Sequence, residues 1–402
     1  MLSPAEAEKL ILDHISPFHR EDCAIASAER RVLRAEIRAD RDLPPFDRVT
    51  MDGYALRSAA AAGGARIFSV GGLQAAGMRA FQLGAAADAC VEVMTGAVVP
   101  EGADAVGPYE QTEREGATVT LTGEVSRLEP GTNIHRRGSD HRAGEVLVPA
   151  GTRLTGREIA VAAACGFGTL TVSQLPKIAV VATGDELVEV DHVVAPHHIR
   201  RSNDYALRAA LATAGFPNAA RFHLRDVRHE IEHLMWHILA EFDVVVICGG
   251  VSKGKFDFLP GELDRQKVRR IFQGVAQRPG KPFWFGVSAR KTPVFALPGN
   301  PVSAYTCLHR YVLPALGHAS GLKPRPLQEV LLAEPVTFRA PLTYLLPVRL
   351  SSGPHTKRLA TPEPSNTSGD FAGLLGGDGF VELPAGQSEF PAGTKVAFRP
   401  WV

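Results

Sequence analysis

Three valine-rich runs that each end in a glycine-containing turn constrain the fold of this chain more than any other sequence feature. The runs and their turns are Ala179–Ala182 before Thr183–Leu187, Val244–Ile247 before Cys248–Ser252, and Val294–Leu297 before Pro298–Pro301. Such runs are typical of strands buried on both faces of a parallel sheet. The Thr-Gly-Asp-Glu sequence of the first turn predicts that this turn opens a helix. Because the carboxyl ends of neighbouring parallel strands meet at one edge, the turns predict a crevice in which backbone N–H groups bind an anionic ligand.

Acidic side chains, rather than lysines, occupy the predicted crevice. Asp185 and Glu186 lie in the first turn, and Asp257 follows the second. Each carboxylate would repel a phosphate by about 1 kcal/mol in water and several times that when partly buried. A phosphate site lined in this way requires a divalent cation between the charges. The Ser252 hydroxyl and the Asp257 carboxylate are hard oxygen ligands suited to Mg²⁺.

Length and charge limit the class of protein. A chain of 402 residues exceeds one ordinary core, so about two to four domains are expected. Lysine plus arginine (44) nearly equals aspartate plus glutamate (43), which predicts no general attraction for nucleic acid or membranes. Five cysteines without a CxxC pair argue against a disulfide framework or structural zinc and favour a reducing cytoplasm. Met1–Arg20 lacks the apolar region of a signal peptide, and Ile159–Phe167 is too short to span a bilayer.

The distribution of periodic patterns predicts a multidomain α/β plus β fold. Apolar spacing predicts amphipathic helix over residues 3–39, short strands dominate residues 55–150, and strands alternate with helices from 176 to about 323. The predicted parts are a helical and linker region at 1–45 and 136–175, an inserted β-rich domain at 46–135, a central doubly wound and mostly parallel α/β domain at 176–323, and a small C-terminal β domain at 324–402.

An HExxH sequence at His229–His233 is compatible with two structures. On a helix it places two imidazoles on one face beside Glu230, as in zinc peptidases, and His237 follows at the next turn. The apolar stripe along the same helix leaves these histidines on its polar face; its members are Ile231, Leu234, Met235, Ile238 and Leu239. We therefore favour a solvated face of a crossover helix and expect no zinc there.

Two arginine-containing turns are candidates for anion binding. Arg136 and Arg137 precede a glycine and could fork onto an oxyanion, although a solvated charged turn is equally compatible with the sequence. Arg278 and Lys281 are three residues apart in a proline-bounded turn, an arrangement that would hold a tetrahedral dianion such as sulfate, phosphate or molybdate. Asp52, in a further proline-bounded loop, is either an ordinary turn residue or a carboxylate at the edge of a cleft.

Together these segments resemble the molybdopterin molybdotransferase family, which includes the E-domain of gephyrin. The resemblance covers essentially the whole chain and depends on the order and spacing of its motifs: PPFD and MDGYA within 44–55, MTG at 94–96, RRGSD at 136–140, TGDEL at 183–187, GGVS to Asp257 at 249–257, PGKP at 279–282 and LPGNPVSA at 297–304.

The resemblance implies a reaction in which adenylylated molybdopterin and molybdate yield molybdenum cofactor and AMP, with Mg²⁺ required. It also implies that the α/β domain binds molybdopterin, that the 1–45 and 136–175 region forms a homodimer, and that the inserted domain of the other subunit covers the cleft. A molybdopterin adenylyltransferase and molybdoenzyme acceptors are the implied protein partners. The alternative is a non-catalytic molybdopterin-binding or scaffold protein of the same fold.

The resemblance also assigns residues to roles. The catalytic set is Asp52, Thr95, Asp140, Glu186, Asp226 and Asp257, and Asp257 and Ser252 are assigned to Mg²⁺. The substrate-binding set is Thr183, Gly184, Asp185, Gly249, Gly250, Ser252, Pro298, Gly299, Asn300, Pro301 and Ser303. The molybdate-binding set is Arg278, Lys281, Arg349 and Ser368. Arg278 replaces a lysine that is usual in the family, so a planar fork replaces a point charge.

Overall fold

The computed structural model describes residues 1–122, 128–250, 259–353, 358–363 and 367–402. In these residues the helices are α1 (Pro4–His14), α2 (Ser58–Ala62), α3 (Gly156–Ala164), α4 (Asn203–Thr213), α5 (Arg228–Glu241), α6 (Leu259–Arg265), α7 (Pro301–Cys307) and α8 (Leu313–Ala319), and a π-helix at Leu308–Val312 joins α7 to α8.

The strands are β1 (Arg20–Ala24), β2 (Ile37–Arg38), β3 (Arg48–Val49), β4 (Gly53–Leu56), β5 (Ile67–Gln74), β6 (Ala89–Val93), β7 (Ala105–Pro108), β8 (Thr112–Glu115), β9 (Thr118–Leu121), β10 (Ile134–His135), β11 (Val146–Val148), β12 (Thr169–Ser173), β13 (Ile178–Thr183), β14 (Leu187–Val188), β15 (Ile199–Arg200), β16 (Ala219–Leu224), β17 (Val244–Cys248), β18 (Arg269–Gln273), β19 (Gln277–Arg278), β20 (Trp284–Val287), β21 (Pro293–Leu297), β22 (Gln328–Leu332), β23 (Val336–Thr337), β24 (Thr343–Ser352), β25 (Arg358–Pro362), β26 (Gly379–Leu383), β27 (Glu389–Phe390) and β28 (Lys395–Pro400).

Contacts divide the chain into two compact units. The first comprises Met1–Ala35, Ala150–Thr155 and Thr169–Val402, and the second comprises Glu36–Pro149 and Gly156–Gly168. The four-part division predicted from the sequence remains a prediction.

A six-stranded sheet forms the centre of the first unit, in the order β16-β13-β17-β21-β20-β18. The first four strands are parallel, whereas β20 and β18 are antiparallel additions at one side. Val180 and Val246 belong to a core that includes α1, α4, α7 and α8, and Val181 and Ile247 belong to a second core that includes α5 and α6. The prediction of a doubly wound, mostly parallel sheet is therefore confirmed.

The turn after β13 does not open a helix, so this prediction from Thr183–Leu187 was wrong. The chain instead forms β14 and, after a loop, β15, and these two short strands pair in parallel before α4 begins at Asn203. The Asp185 carboxylate accepts the backbone N–H of Asp226 at 2.9 Å, so it satisfies a donor at the end of another strand rather than in a following helix. The third turn does open a helix, because α7 begins at Pro301.

The predicted helix over residues 3–39 is observed only as α1, which ends at His14, so the prediction was wrong beyond that residue. Ser3 and Glu6 form a reciprocal capping box at the start of α1, and the helix ends at His14. Pro17 disfavours helical geometry at the residue before it. The chain then forms β1, which pairs antiparallel with β12.

The C-terminal strands form a small closed sheet in the first unit. Its order is β19-β24-β25-β22-β28-β26, and β24 also pairs with β26, which closes the ring. The edge strand β19 comes from the chain between β18 and β20, so the closed sheet and the central sheet share a continuous stretch of backbone. The predicted small C-terminal β domain is confirmed.

The second unit is rich in short strands. Its main sheet has the order β7-β4-β6-β5-β9-β8, and Phe68, Leu56 and Val119 lie in its core. This arrangement confirms a β-rich domain in the first half of the chain. Throughout the described parts of the chain, no helix has the length and apolar character needed to cross a membrane.

The last two residues dock onto the helix that follows the third turn. The Trp401 ring lies 5.0 Å from the His309 ring and 5.4 Å from the Tyr305 ring, measured between centroids. The backbone N–H of Val402 donates to His309 Nε2 at 3.1 Å, and His309 Nδ1 lies 2.9 Å from the Tyr305 carbonyl. Both contacts are satisfied only when His309 is neutral with its proton on Nδ1. Burial lowers the pKa of His309 to about 4.

We expect this histidine to make stability depend on pH. Between pH 6.5 and 4 the unfolded chain binds a proton at residue 309 and the folded chain does not, so stability falls as pH falls, by about 3 kcal/mol in total. His309→Gln should show a correspondingly shallower decline in urea unfolding at pH 7, 5.5 and 4. His233→Gln, which changes an exposed histidine, should keep the wild-type slope. Parallel pH profiles for wild type and His309→Gln would contradict the prediction.

Candidate functional site

The carboxyl ends of β13, β17 and β21 converge on one cavity of about 610 Å³. β17 lies between the other two strands and pairs in parallel with both, so the three following turns are brought side by side as predicted. The lining residues from the predicted set are Thr183, Gly184, Glu186, Asp226, Gly249, Gly250, Pro298, Gly299, Asn300 and Pro301. The remaining lining residues are Ala182, Leu187, Ile199, Arg200, Arg201, Ser202, Asn203, Asp204, Cys248, Pro282 and Gly369.

Two glycines allow the first two turns to approach each other closely. Gly249 has φ +93°, and a Cβ at this position would lie 3.0 Å from both the carbonyl oxygen and Oγ1 of Thr183. Gly250 has φ +66°, and its Cβ would lie 2.9 Å from Thr183 Oγ1. Both the backbone conformation and the lack of space therefore require glycine. The backbone N–H of Gly249 also donates to the Leu297 carbonyl at 3.1 Å, which ties the second turn to the third.

The acidic residues of the first turn have different surroundings. The Glu186 carboxylate lies over Gly184, where a Cβ would be 2.5 Å from Glu186 Oε2. Glu186 and Asp226 both line the cavity. Asp185 is exposed and uses its carboxylate to hold the backbone of Asp226, which makes it a structural residue of this edge.

Among the described residues that line the cavity, Arg200 and Arg201 are the arginines, and both make contacts with other groups of the chain. Arg201 is buried and donates to Glu189 and Asp204, and Asp204 also accepts from Arg221 at 3.0 Å. The charge of Arg201 is thereby neutralised inside the fold. Arg200, which is exposed, donates through Nε to the Val190 carbonyl at 2.9 Å.

The thiol of Cys248 also lines the cavity, at the end of β17. Burial raises the pKa of this thiol above its usual range. The side chain is therefore a neutral, apolar part of the wall at physiological pH.

Asn203 is a cavity residue that sequence reasoning missed. Its Nδ2 donates to the Gly299 carbonyl at 2.7 Å, so the first residue of α4 is bonded to the third turn. One signal in the sequence could have identified it. Asn203 carries a polar amide at the start of a helix, and a helix that follows a parallel strand begins at the same edge of the sheet as the three turns.

Of the four predicted molybdate residues, Ser368 contacts a residue that lines the cavity, and Lys281 precedes another in sequence. Ser368 Oγ accepts from Asn300 Nδ2 at 2.7 Å, and its carbonyl accepts the backbone N–H of Val302 at 3.1 Å. Its neighbour Gly369 lines the cavity, as does Pro282, the neighbour of Lys281. Arg278 and Lys281 are both exposed.

Arg349 is not brought to the same place as Arg278. Arg278 pairs with Tyr344 on β24, and Arg349 lies five residues further along that strand. This separation corresponds to about 17 Å of strand and places the two side chains on opposite faces. Arg349 instead forms an ion pair with Glu363 at 2.5 Å.

Asp52, Thr95 and Asp140 lie in the second unit. The Asp52 carboxylate accepts both the backbone N–H and the hydroxyl of Thr95, at 2.6 and 2.7 Å. These two bonds, the backbone bond first, lower the pKa of Asp52. Asp140 accepts from His135 Nε2 at 2.8 Å, and Arg48 donates to the other ring nitrogen of His135 at 3.2 Å.

The adjacent arginines of the second unit bind carboxylates of their own chain. Arg136 donates to Asp47 at 2.6 Å, and Arg137 donates through its backbone to Asp47 and through Nε to Asp42 at 3.0 Å. Of the two sequence interpretations, the structure favours a charged turn that is neutralised internally.

Ser303 is buried in α7 with 4% exposure and does not line the cavity. Ser252 and Asp257 lie outside the described residues.

A second groove, of about 1050 Å³, lies along α5 and α6 and contains the HExxH residues. His229 and His233 are exposed and Ile231, Met235 and Ile238 are buried, which confirms the predicted polar helix face. The Glu230 carboxylate forms an ion pair with Arg225 at 2.6 Å. Within the described ranges, no group of three or more His, Cys, Asp or Glu side chains is arranged to hold a metal ion. The cavity where the three turns meet is the better candidate, because most of the predicted substrate-binding residues line it.

Three protein-family models match this chain. The model described as "MoeA N-terminal region (domain I and II)" matches residues 2–166, "Probable molybdopterin binding domain" matches 179–318, and "MoeA C-terminal region (domain IV)" matches 329–401. The chain is similar to the molybdopterin molybdenumtransferase of Synechocystis, with 39% identity over the whole of both chains. It is 33% identical to the protein of that name from Staphylococcus epidermidis, over 98% of this chain and 94% of the relative. The crystal structure of the moeA protein from Pyrococcus horikoshii matches all of both chains with a TM-score of 0.84 and 26% identity.

The close approach of the first two turns can be tested with alanine. Gly249→Ala should lower the free energy of unfolding by at least about 1 kcal/mol, because alanine is disfavoured at positive φ and its Cβ would contact Thr183. Gly261→Ala is the matched control, since a Cβ there meets open space within α6, and it should be neutral or stabilising. Urea unfolding measures both variants. Equal stability of the two would show that the turns tolerate a side chain.

Proposed function

Because the chain belongs to the molybdopterin molybdenumtransferase family and is a transferase, we propose that it inserts molybdenum into adenylylated molybdopterin. The reaction would consume molybdate and release molybdenum cofactor and AMP, with Mg²⁺ required.

The observation that carries this proposal is the cavity where three parallel strands end. It is bordered by glycine turns at Gly249, Gly250 and Gly299, where a phosphate can approach the backbone closely. Its volume of about 610 Å³ is within the usual range for small-molecule sites. A pterin with a nucleotide phosphate is a ligand of this size and charge.

The carboxylates in the cavity fit the hard oxygen donors that Mg²⁺ prefers. Glu186 and Asp226 line the cavity, and Asp257 and Ser252, which lie outside the described residues, are the Mg²⁺ ligands that the resemblance assigns. Mg²⁺ is commonly held by one or two carboxylates together with substrate phosphates, so this donor set is sufficient. When bound, the ion would neutralise charge on the phosphates and polarise the bond that is broken.

The positions of Arg278, Lys281 and Ser368 support a role in binding molybdate. Two exposed cations flank a tight turn beside Pro282, and the Ser368 hydroxyl is bonded to the third turn. A tetrahedral dianion would be attracted by the cations and oriented by the hydroxyl. Arg349 is retained as a molybdate residue only on the resemblance, because it pairs with Glu363.

We extend the proposal to a homodimer and to catalytic roles for Asp52, Thr95 and Asp140. The two hydrogen bonds from Thr95 keep Asp52 ionised and oriented, as required of a carboxylate that binds a cation or positions a substrate. The substrate chemistry further implies an adenylyltransferase that supplies the nucleotide adduct and molybdoenzymes that receive the product. Sedimentation of the purified protein would test the dimer.

The reaction is tested by incubating purified protein with adenylylated molybdopterin, Mg²⁺ and molybdate and measuring AMP. Glu186→Gln should reduce AMP release by roughly 100-fold or more, since it removes a preorganised charge from the cavity. Asp264→Asn, an exposed acid on α6 outside the cavity, should keep wild-type activity. Substrate binding by wild type without AMP release would instead support a scaffold protein, and full activity of Glu186→Gln would refute the site.

A further inference from the structure

A polar side chain is completely buried directly before the turn that carries Arg278 and Lys281. Gln277 has 0% exposure. Its Nε2 donates to Cys307 Sγ at 3.5 Å, and its Oε1 accepts from the Tyr311 hydroxyl. Both ends of the amide are therefore used, although an aliphatic side chain would fill the same space without needing partners.

The two partners of Gln277 belong to the helical segment that starts at the third turn of the cavity. Cys307 is the last residue of α7, which begins at Pro301, and Tyr311 lies in the π-helix that follows. The Tyr311 ring stacks on Phe283, with 4.8 Å between centroids, so its position is fixed by packing as well as by the hydroxyl. The amide thus bonds to a rigid element continuous with one wall of the cavity.

The backbone of the same turn is held from the other side by the closed C-terminal sheet. Gln277 and Arg278 form β19 and pair with Thr343 and Tyr344 of β24. The backbone N–H of Thr343 donates to the Ala276 carbonyl at 2.9 Å. Among the described contacts of this turn, the hydrogen bonds to the helical segment at 301–312 come from the side chain of Gln277. Both bonds are made to side chains, those of Cys307 and Tyr311.

The interior of the turn is packed against this amide. Gly280 has φ +91°, and a Cβ there would lie 2.5 Å from Cys307 Sγ and 2.6 Å from Gln277 Nε2. The backbone N–H of Val275 donates to the Lys281 carbonyl at 2.9 Å and closes the turn. A change in the rotamer of Gln277 would therefore displace the backbone between the two cations.

We propose that Gln277, held by Cys307 and Tyr311, is a positioning residue that sets the place of Arg278 and Lys281 relative to the third turn of the cavity. The inference rests on the proposed function, in which these cations bind molybdate. Loosening the amide spreads the two cations over more conformations. This weakens binding of a tetrahedral oxyanion and leaves turnover at saturating anion unchanged.

The test is the effect of Tyr311→Phe and Gln277→Leu on the molybdate dependence of AMP release. Tyr311→Phe removes one hydroxyl and keeps the ring stack. Each variant should raise KM for molybdate roughly threefold to tenfold, the value of one hydrogen bond, with kcat within about twofold. The double variant should be no worse than Gln277→Leu alone, because both changes break the same contact.

Gln74→Leu is the matched control. Gln74 is a fully buried glutamine of the second unit that donates to the Met78 and Arg79 carbonyls, at 3.3 and 2.9 Å. It should keep the wild-type KM. Wild-type KM in both Tyr311→Phe and Gln277→Leu, or an equal rise in Gln74→Leu, would overturn the inference. If Gln277→Leu does not fold, as judged by circular dichroism, Tyr311→Phe decides.

A failure of the proposed function is distinguished by calorimetric titration with molybdate alone. If wild type releases no AMP but binds molybdate, a weaker affinity in Tyr311→Phe supports the positioning role without the reaction. Equal affinity in the variant, or no binding by wild type, overturns it.

Discussion

The parallel pairing of β13, β17 and β21 is the constraint on which the rest of the first unit depends. The three strands are buried on both faces, so their backbone groups must pair with one another, and their side chains must pack on helices. Their turns are consequently forced together at one edge. Gly249 permits the closest approach, because any side chain there would meet Thr183.

Charges inside the first unit are mostly compensated by its own residues. Arg201 and Asp204 pair in the wall of the cavity. Arg310, with a side chain that is 3% exposed, pairs with Glu8 of α1 at 2.8 Å and with Glu382 of the closed sheet at 2.7 Å. Removing one member of such a buried group would leave an uncompensated charge, so these pairs specify which surfaces come together. Glu186 and Asp226 line the cavity in the same unit, and the proposed function assigns both to a ligand.

Local patterns predicted the regular elements well where the chain is periodic and long. The three predicted strands before the glycine turns are observed at Ile178–Thr183, Val244–Cys248 and Pro293–Leu297. The predicted helix over 3–39 failed beyond His14 because Val32, Leu33 and Ile37 are spaced like one helical face but are buried by pairing with distant residues. The antiparallel strands β18 and β20 and the short β14–β15 pair were missed, since their existence depends on partners elsewhere in the chain.

The sequence by itself determined that three glycine turns would lie at one sheet edge and that Glu186 belongs to the first of them, because strand and turn preferences are local and parallel strands share a direction. Only the tertiary structure decided how the polar groups near that edge are used. Asp185 holds the backbone of Asp226, Asn203 joins α4 to the third turn, and Gln277 is fixed by Tyr311. Each of these bonds spans more than 30 residues, so its partner is set by the order of strands and helices in space and not by any neighbouring residue.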